Sequence, residues 1–395
     1  MKSFFTRIQV GLLALSSLAT TITVFLIIFF LFREGVGFFS KRPVEEGYVL
    51  AVHPDNPLTR ITPGECKKVF DQEITDWKSL NGNSREINLL TLDEIGNLYS
   101  SEQMGENMEF LDTCYNDYIR NHKGVIAIIP EKNFTSKVHA NRLQLDKNGF
   151  LSFIRNREWF PTARPVAQFG ALPLLTGTLL VSLGAILLAL PFGLACAIFM
   201  SELCNEKTRK VMKPVVELLA GIPSVVYGFF GLIVIVPLIQ KWFHLDVGET
   251  ALAGSIILGI MALPTIITIS EDALRNVPKT MREAALAMGA TKWQTIVTVL
   301  IPYARSGITT AAILGIGRAI GETMAVLMVS GNAANTTFNL LKPVRSIPAT
   351  IAAELGEAPA GGIHFQALFA LACILFLITF GINLYVHMVS RKKSK

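Results

Sequence analysis

The sequence predicts an α-helical polytopic membrane protein of about six transmembrane helices, with a small α/β extracytoplasmic domain inserted after the first of them. Three observations predict this. Of 395 residues, 51% are hydrophobic and only 17% charged, whereas soluble proteins carry charge on about a quarter of their residues. The apolar residues gather in runs long enough to cross a bilayer, which takes about 20 per helix. One long polar stretch, from about Arg33 to Phe169, interrupts these runs early in the chain. The formal net charge of +6 does not point to nucleic acid, because the basic residues sit beside the apolar runs rather than in a stripe interleaved with exposed aromatics.

The first apolar run, Ile8 to Phe32, follows Lys2 and Arg7. A cleavable signal peptide would have a shorter apolar region and a small-x-small site. This run ends in Phe29-Phe30-Leu31-Phe32-Arg33-Glu34, so residues 1–32 read as an uncleaved first transmembrane helix with a cytoplasmic N-terminus.

Residues 33–169 form the insertion. Tyr48 to Val52 and Gly124 to Ile129 read as strands, and Pro63 to Phe70 and Met108 to Arg120 as helices. Cys66 and Cys114 share this segment and could form a disulfide if it faces an oxidising compartment. Cys196, Cys204 and Cys373 lie in or beside apolar runs and read as buried small residues.

Residues 170–395 form a five-helix core. Its runs are Leu172 to Phe199, Val215 to Ile239, Thr250 to Ile269, Tyr303 to Ser330 and Phe365 to Val389. Orientation follows from the placement of lysine and arginine. Lys207, Arg209, Lys210 and Lys213 fill one short loop, and Arg275, Lys279, Arg282, Lys292 and Arg305 another. Arg391, Lys392, Lys393 and Lys395 close the chain. With six spans these fall on one side together with Lys2 and Arg7. Both termini and a loop at about 271–302 are therefore expected in the cytoplasm, and the insertion outside. The loops around Lys241 and from Gly331 to His364 are less basic.

The 271–302 loop reads Glu283-Ala284-Ala285, three residues, Gly289, and later Val299-Leu300-Ile301-Pro302. It resembles the EAA motif of ABC-importer permeases. Val299 and Ile301 replace the usual Ile and Leu, while Asn276-Val277-Pro278 and Ala290-Thr291-Lys292-Trp293 fit the same pattern. The resemblance implies the type I importer permease fold, in which this loop is a knob that seats in a groove of the ATPase. The residues agree with it. Glu283, Ala284, Ala285 and Ala287 favour helix, and Gly289 can take positive φ, so that a second short helix leaves at an angle. The chain has no GxxxxGK[ST] phosphate loop, so another subunit must bind ATP.

The fifth span contains Gly315-Ile-Gly317-Arg318-Ala-Ile-Gly321-Glu322-Thr323-Met324-Ala325, and the third Ala220-Gly221-Ile222-Pro223-Ser224-Val225-Val226-Tyr227-Gly228. Both are similar to the PstC family of phosphate permeases. The resemblance runs from about Leu172 to the end. It implies an importer of inorganic phosphate in a bacterial inner membrane, with no cofactor of its own. The implied partners are a PstA-like second permease, a PstB-like ATPase dimer, a PstS-like extracytoplasmic phosphate-binding protein and membrane lipid, with no nucleic acid. Arg318 and Glu322 are charges within an apolar run, which default to a functional role. Four residues apart, they are expected on one helix face, either along the substrate path or as an ion pair that satisfies both charges. Gly317 and Gly321 form GxxxG, which allows close helix packing.

The insertion is similar to one lobe of phosphate-binding proteins through Asn56-Pro57-Leu58-Thr59-Arg60-Ile61-Thr62, Val69-Phe70, Ile74-Thr75-Asp76-Trp77 and Gly124 to Pro130. The Ser-Gly-Thr anion-gripping motif of that family has no counterpart in Asp93 to Met108. A degenerate lobe kept for docking or regulation is expected. Three other functions compete. A permease for sulfate or molybdate is disfavoured by the fifth-span residues. A membrane-anchored phosphate sensor needs a cytoplasmic output domain, and only a short basic tail follows the last span. A membrane enzyme would need a catalytic cluster, and neither HExxH nor GxSxG occurs.

Overall fold

The structure, a computed structural model, describes residues 2–44, 47–83, 85–105, 108–164 and 166–391; the side chains of residues 2–9, 101, 386, 387 and 389–391 lie outside that description. The basic side chains of Lys2, Arg7, Arg391, Lys392, Lys393 and Lys395, on which part of the expected orientation rests, are therefore outside it. The chain forms two compact units, one of residues 36–170 and one of residues 1–35 with 171–395.

Helix α1 (Lys2–Gly37) opens the chain. The first unit then runs β1 (Tyr48–Val52), β2 (Arg60–Ile61), α2 (Pro63–Phe70), β3 (Asn88–Leu90), α3 (Leu92–Leu98), α4 (Ser101–Met104), α5 (Leu111–Asn121), β4 (Val125–Pro130), β5 (Asn141–Arg142), β6 (Gln144–Leu145) and α6 (Phe150–Arg155). The second continues with α7 (Leu172–Ile198), α8 (Glu206–Ala220), α9 (Ser224–Phe230), α10 (Val236–Phe243), α11 (Ala251–Arg275), α12 (Lys279–Ala287), α13 (Lys292–Thr295), α14 (Ile301–Ile320), α15 (Met324–Val329), α16 (Ile347–Glu354) and α17 (Ile363–Arg391).

In the unit of residues 36–170, a sheet of order β3-β4-β1-β5 is covered on both faces. Successive strand residues point to opposite faces. Leu50, Val52 and Ile126 accordingly join Cys66 and Val69 of α2 and Trp77 in one core. Ala51, Val125, Ala127 and Ile129 join Cys114, Tyr115 and Ile119 of α5 in another. Helix α2 starts on a capping box, with Thr62 accepting from the Glu65 amide while the Glu65 carboxylate accepts from the Thr62 amide. Cys66 and Cys114 thus belong to different cores and both are free thiols. The disulfide that their shared segment allowed is not made, and burial pushes the Cys66 thiol up to about 12. At the ends of the unit, Val44 bridges Val166, and Phe38 packs edge-on against Phe169 and tilted against Phe153.

Among the described residues of the other unit, six helical segments are long and apolar enough to cross a membrane: Val10–Ser40 (whose last residues belong to the first unit), Leu172–Leu203, Ser224–Phe243, Ala251–Arg275, Lys292–Ile320 and Ile363–Tyr385. Helix α11 is the most buried and packs along α7 and α14. Lipid tails are as apolar as leucine, so helices in a bilayer associate through close backbone approach at small residues. The α7–α11 seam shows this. A side chain added at Gly193 would meet Ile266 at 2.7 Å, and one at Gly184 would run into Ser255. Helix α1 lies against α17 through Phe30 on Phe369 and Phe32 on Phe376.

Two expected spans differ from those observed. The third does not start at Val215. Residues 206–220 form α8, a separate amphipathic helix, and a break at Gly221-Ile222-Pro223 precedes α9. Lys207, Arg209, Lys210 and Lys213 therefore lie on a helix and not in a loop. The fifth does not run unbroken to Ser330, because α14 ends at Ile320 and α15 restarts at Met324. In both cases the apolar composition carries on through the break, so a hydropathy window averages over it.

Candidate functional site at two helix breaks and a surface knob

Arg318 occupies the last turn of α14 and is exposed. A cation there complements the partial negative charge of a helix C-terminus. Glu322 lies beyond the helix end, half-buried in the Gly321-Glu322-Thr323 break. Its Oε1 accepts from the Ala325 amide at 3.4 Å, at the first turn of α15. The expected shared helix face is therefore absent, and among the described residues no ion pair joins Arg318 to Glu322. Gly321, as the C-cap of α14, ends the helical register that would have stacked them. A Cβ at Gly317 would meet nothing within 4 Å, so the GxxxG pair is not a seam within this chain.

The two signature segments are brought together. A side chain at Gly228 would meet Met328 Sδ at 2.8 Å and Ala325 Cα at 3.0 Å, so α9 and α15 touch closely just after their respective breaks. Tyr227, Ala319, Ala325 and Val326 share one core cluster, with Ile222 packed against it. The Tyr227 hydroxyl donates to the Leu219 carbonyl at 2.8 Å, which ties the start of α9 to the end of α8 across the Gly221–Pro223 break.

Residues 279–295 form a helix-turn-helix knob. Gly289 has φ +83°. Its amide donates to the Leu286 carbonyl at 3.0 Å, and the Ala290 amide to the Ala285 carbonyl at 3.2 Å. These are the two bonds of a Schellman cap, which needs a left-handed residue between them. Thr291 then starts α13 with a capping box to Gln294. Glu283, Ala284 and Gly289 are exposed and Ala285 is half-buried. Around them Met281, Leu286, Met288 and Trp293 present large apolar side chains outward, Met288 at 88% exposure.

Beneath the knob lies a charge cluster that the sequence reading missed. Glu271 of α11 is fully buried. It pairs with Arg209 at 2.8 Å and Lys213 at 3.1 Å, both from α8, and with Arg275 at 3.7 Å. The hydrogen bond to Glu271 holds the Lys213 ammonium above its ordinary range. Glu202, at the end of the span that begins with α7, pairs with Arg282 of α12 at 2.8 Å. In the sequence these arginines and lysines looked like orientation signals only. The available clue was an acidic residue at the end of an apolar run, twice, at Glu202 and Glu271.

Comparison with known proteins bears on the same region. Residues 189–395 match the family described as binding-protein-dependent transport system inner membrane component. The chain is 39% identical over 243 residues to the probable ABC transporter permease protein YqgH of Bacillus subtilis, covering 62% of this chain and 78% of that one. It is 41% identical over 248 residues to the phosphate transport system permease protein PstC of Mesorhizobium japonicum, covering 58% and 75%. Among solved structures, inward facing conformations of the MetNI methionine ABC transporter align with 56% of this chain and 94% of theirs, at 22% identity and a TM-score of 0.41. With its six bilayer-length helices and its Schellman-capped knob, this multi-pass membrane chain belongs to the family of binding-protein-dependent transport system inner membrane components.

Proposed function

We propose that this chain is the membrane-spanning permease subunit of an ATP-driven importer for inorganic phosphate, lining the path with a PstA-like second permease. A PstB-like ATPase dimer docks on the knob through Glu283, Ala284, Ala285 and Gly289. A PstS-like binding protein delivers phosphate from outside. Both termini are cytoplasmic, and residues 33–169, a degenerate binding-protein lobe, face outward. The observation that carries the substrate is Arg318, an exposed guanidinium that no carboxylate pairs with among the described residues, at a helix break in a membrane segment. The 41% identity to a phosphate permease supports the same reading.

Phosphate near neutral pH is an anion that keeps at least one proton. The Arg318 guanidinium offers a planar fork of donors suited to an oxyanion. An ionised Glu322 only accepts hydrogen bonds, so it accepts from a phosphate O–H and disfavours sulfate, which has no such proton. It also offsets part of the arginine charge, so that the anion is held weakly enough to leave.

Uptake into vesicles carrying the assembled complex tests this. Arg318→Gln is expected to abolish phosphate uptake without loss of assembly. Glu322→Gln keeps an acceptor for the Ala325 amide, impairs uptake and relaxes discrimination against sulfate. Near-normal transport by the double glutamine variant would remove both residues from the path, and stronger competition by sulfate or molybdate than by phosphate would reassign the substrate. For the knob, Gly289→Val forces a β-branched residue to positive φ. Transport should fall while the protein still inserts, and undiminished uptake would mean that the knob does not couple.

A further inference from the structure

We infer that Arg282 is the positioning residue of the knob: through Glu202 and the Leu274 carbonyl it ties α12 to the ends of α7 and α11, and this tie carries motion between the ATPase and the membrane helices. The inference rests on the docking role proposed for the knob.

The knob has little else to hold its orientation. Helix α12 buries no side chain of its own. Among the described residues apolar anchoring comes at its two ends, where Val277 before it and Ile296 and Leu300 after it pack with Ala197, Ile198 and Leu274. Between these anchors the knob would be free to rock. Arg282 reaches back across the gap. One of its terminal nitrogens donates to the Leu274 carbonyl at 2.9 Å and lies 2.8 Å from the Glu202 carboxylate.

Both partners are suited to the tie. Leu274 is in the last turn of α11, where carbonyls attract cations, and its carbonyl accepts from the Val277 amide at 3.3 Å as well as from Arg282. Residue 278, whose amide would have continued that helix, is a proline and has no N–H. Glu202 is 12% exposed in a π-helical turn, Phe199–Leu203, that closes the α7 span. Among the described residues Arg282 is the cation within ion-pair reach of it. Removing one partner of such a half-buried pair leaves an uncompensated charge, so α12 cannot swing away while α7 stays. A planar guanidinium can address a carboxylate and a carbonyl together, which an ammonium on a flexible stem does less well.

The test uses the complex purified with its partner subunits and reconstituted in vesicles, together with hydrogen exchange on the same preparation. Arg282→Met should still co-purify with the ATPase and hydrolyse ATP at the basal rate. Stimulation by phosphate with its binding protein should be lost, and uptake should fall about tenfold, within the range that substitutions along coupling networks produce. Arg282→Lys should recover part of it. Amides of residues 279–288 should exchange faster in Arg282→Met, and those of α11 should not. Glu202→Gln, which keeps the bond to Leu274, repeats the comparison if Arg282→Met does not accumulate. Wild-type exchange and stimulation in both variants would overturn the inference. So would loss of ATPase co-purification, which would place Arg282 in the docking surface itself. If the wild-type complex takes up no phosphate, the substrate reading fails, and the exchange of α12 still decides the role of Arg282.

Discussion

The two units of this chain solve the same packing problem in opposite ways. Among the described residues the fully buried aromatic side chains, Trp77, Trp159, Tyr115, Phe38 and Phe153, all fall within residues 36–170, whereas leucine and isoleucine are buried in both units. In the membrane unit Ala185, Ala189, Ala251, Ala253 and Ala262, with Gly184 and Gly193, bring the helices together beside Ile257, Met261 and Ile266, while Leu187 and Phe192 stand 79% and 70% exposed. Water drives large apolar groups inward. Lipid does not, so large side chains stay at the surface and small ones let the helices meet. Burial thus reports the solvent in which each unit folds.

Three substitutions would break or sharpen the contrast. The largest effect is expected from Trp77→Ala, which removes a buried indole and its hydrogen bond to the Gly124 carbonyl and should cost about 3–5 kcal/mol. Limited proteolysis of the full chain should then cut within 36–170 and spare the membrane helices. Gly184→Leu makes the opposite error, overfilling the α7–α11 seam against Ser255, whose hydroxyl is already bonded to the Ala251 and Val181 carbonyls. A loss of about 1–3 kcal/mol is expected, visible as a lower thermal midpoint of the detergent-purified chain. Leu187→Ala, on the outer face of the same helix, should stay within about 0.5 kcal/mol. A large loss there would mean that Leu187 is covered by a partner subunit instead of lipid.

The contrast also accounts for what could be read from the sequence. Strand Tyr48–Val52 and helix Pro63–Phe70 were legible to the residue, because a short apolar run rich in strand formers and a Thr-Pro-x-Glu start are local signals. The positive φ at Gly289 was legible for the same reason. The breaks at Gly221–Pro223 and Gly321–Thr323 were not, because an apolar run resumes directly after each, at Ser224–Phe230 and Met324–Val329. The placing of Glu322 beyond the end of α14 depends on such a break. The charge cluster was hidden for a different reason. Lys213 and Glu271 are 58 residues apart, and only the packing of α8 on α11 shows that they meet.

The meeting of the ends of the α/β unit has a consequence for the history of the chain. Val44 and Val166 are bridged, and Phe38 and Phe169 touch, so more than a hundred residues enter and leave through one narrow neck. Such a segment is topologically silent. It can be gained, lost or exchanged in a single genetic event without re-threading any host helix, much as domain insertions succeed where the ends lie close.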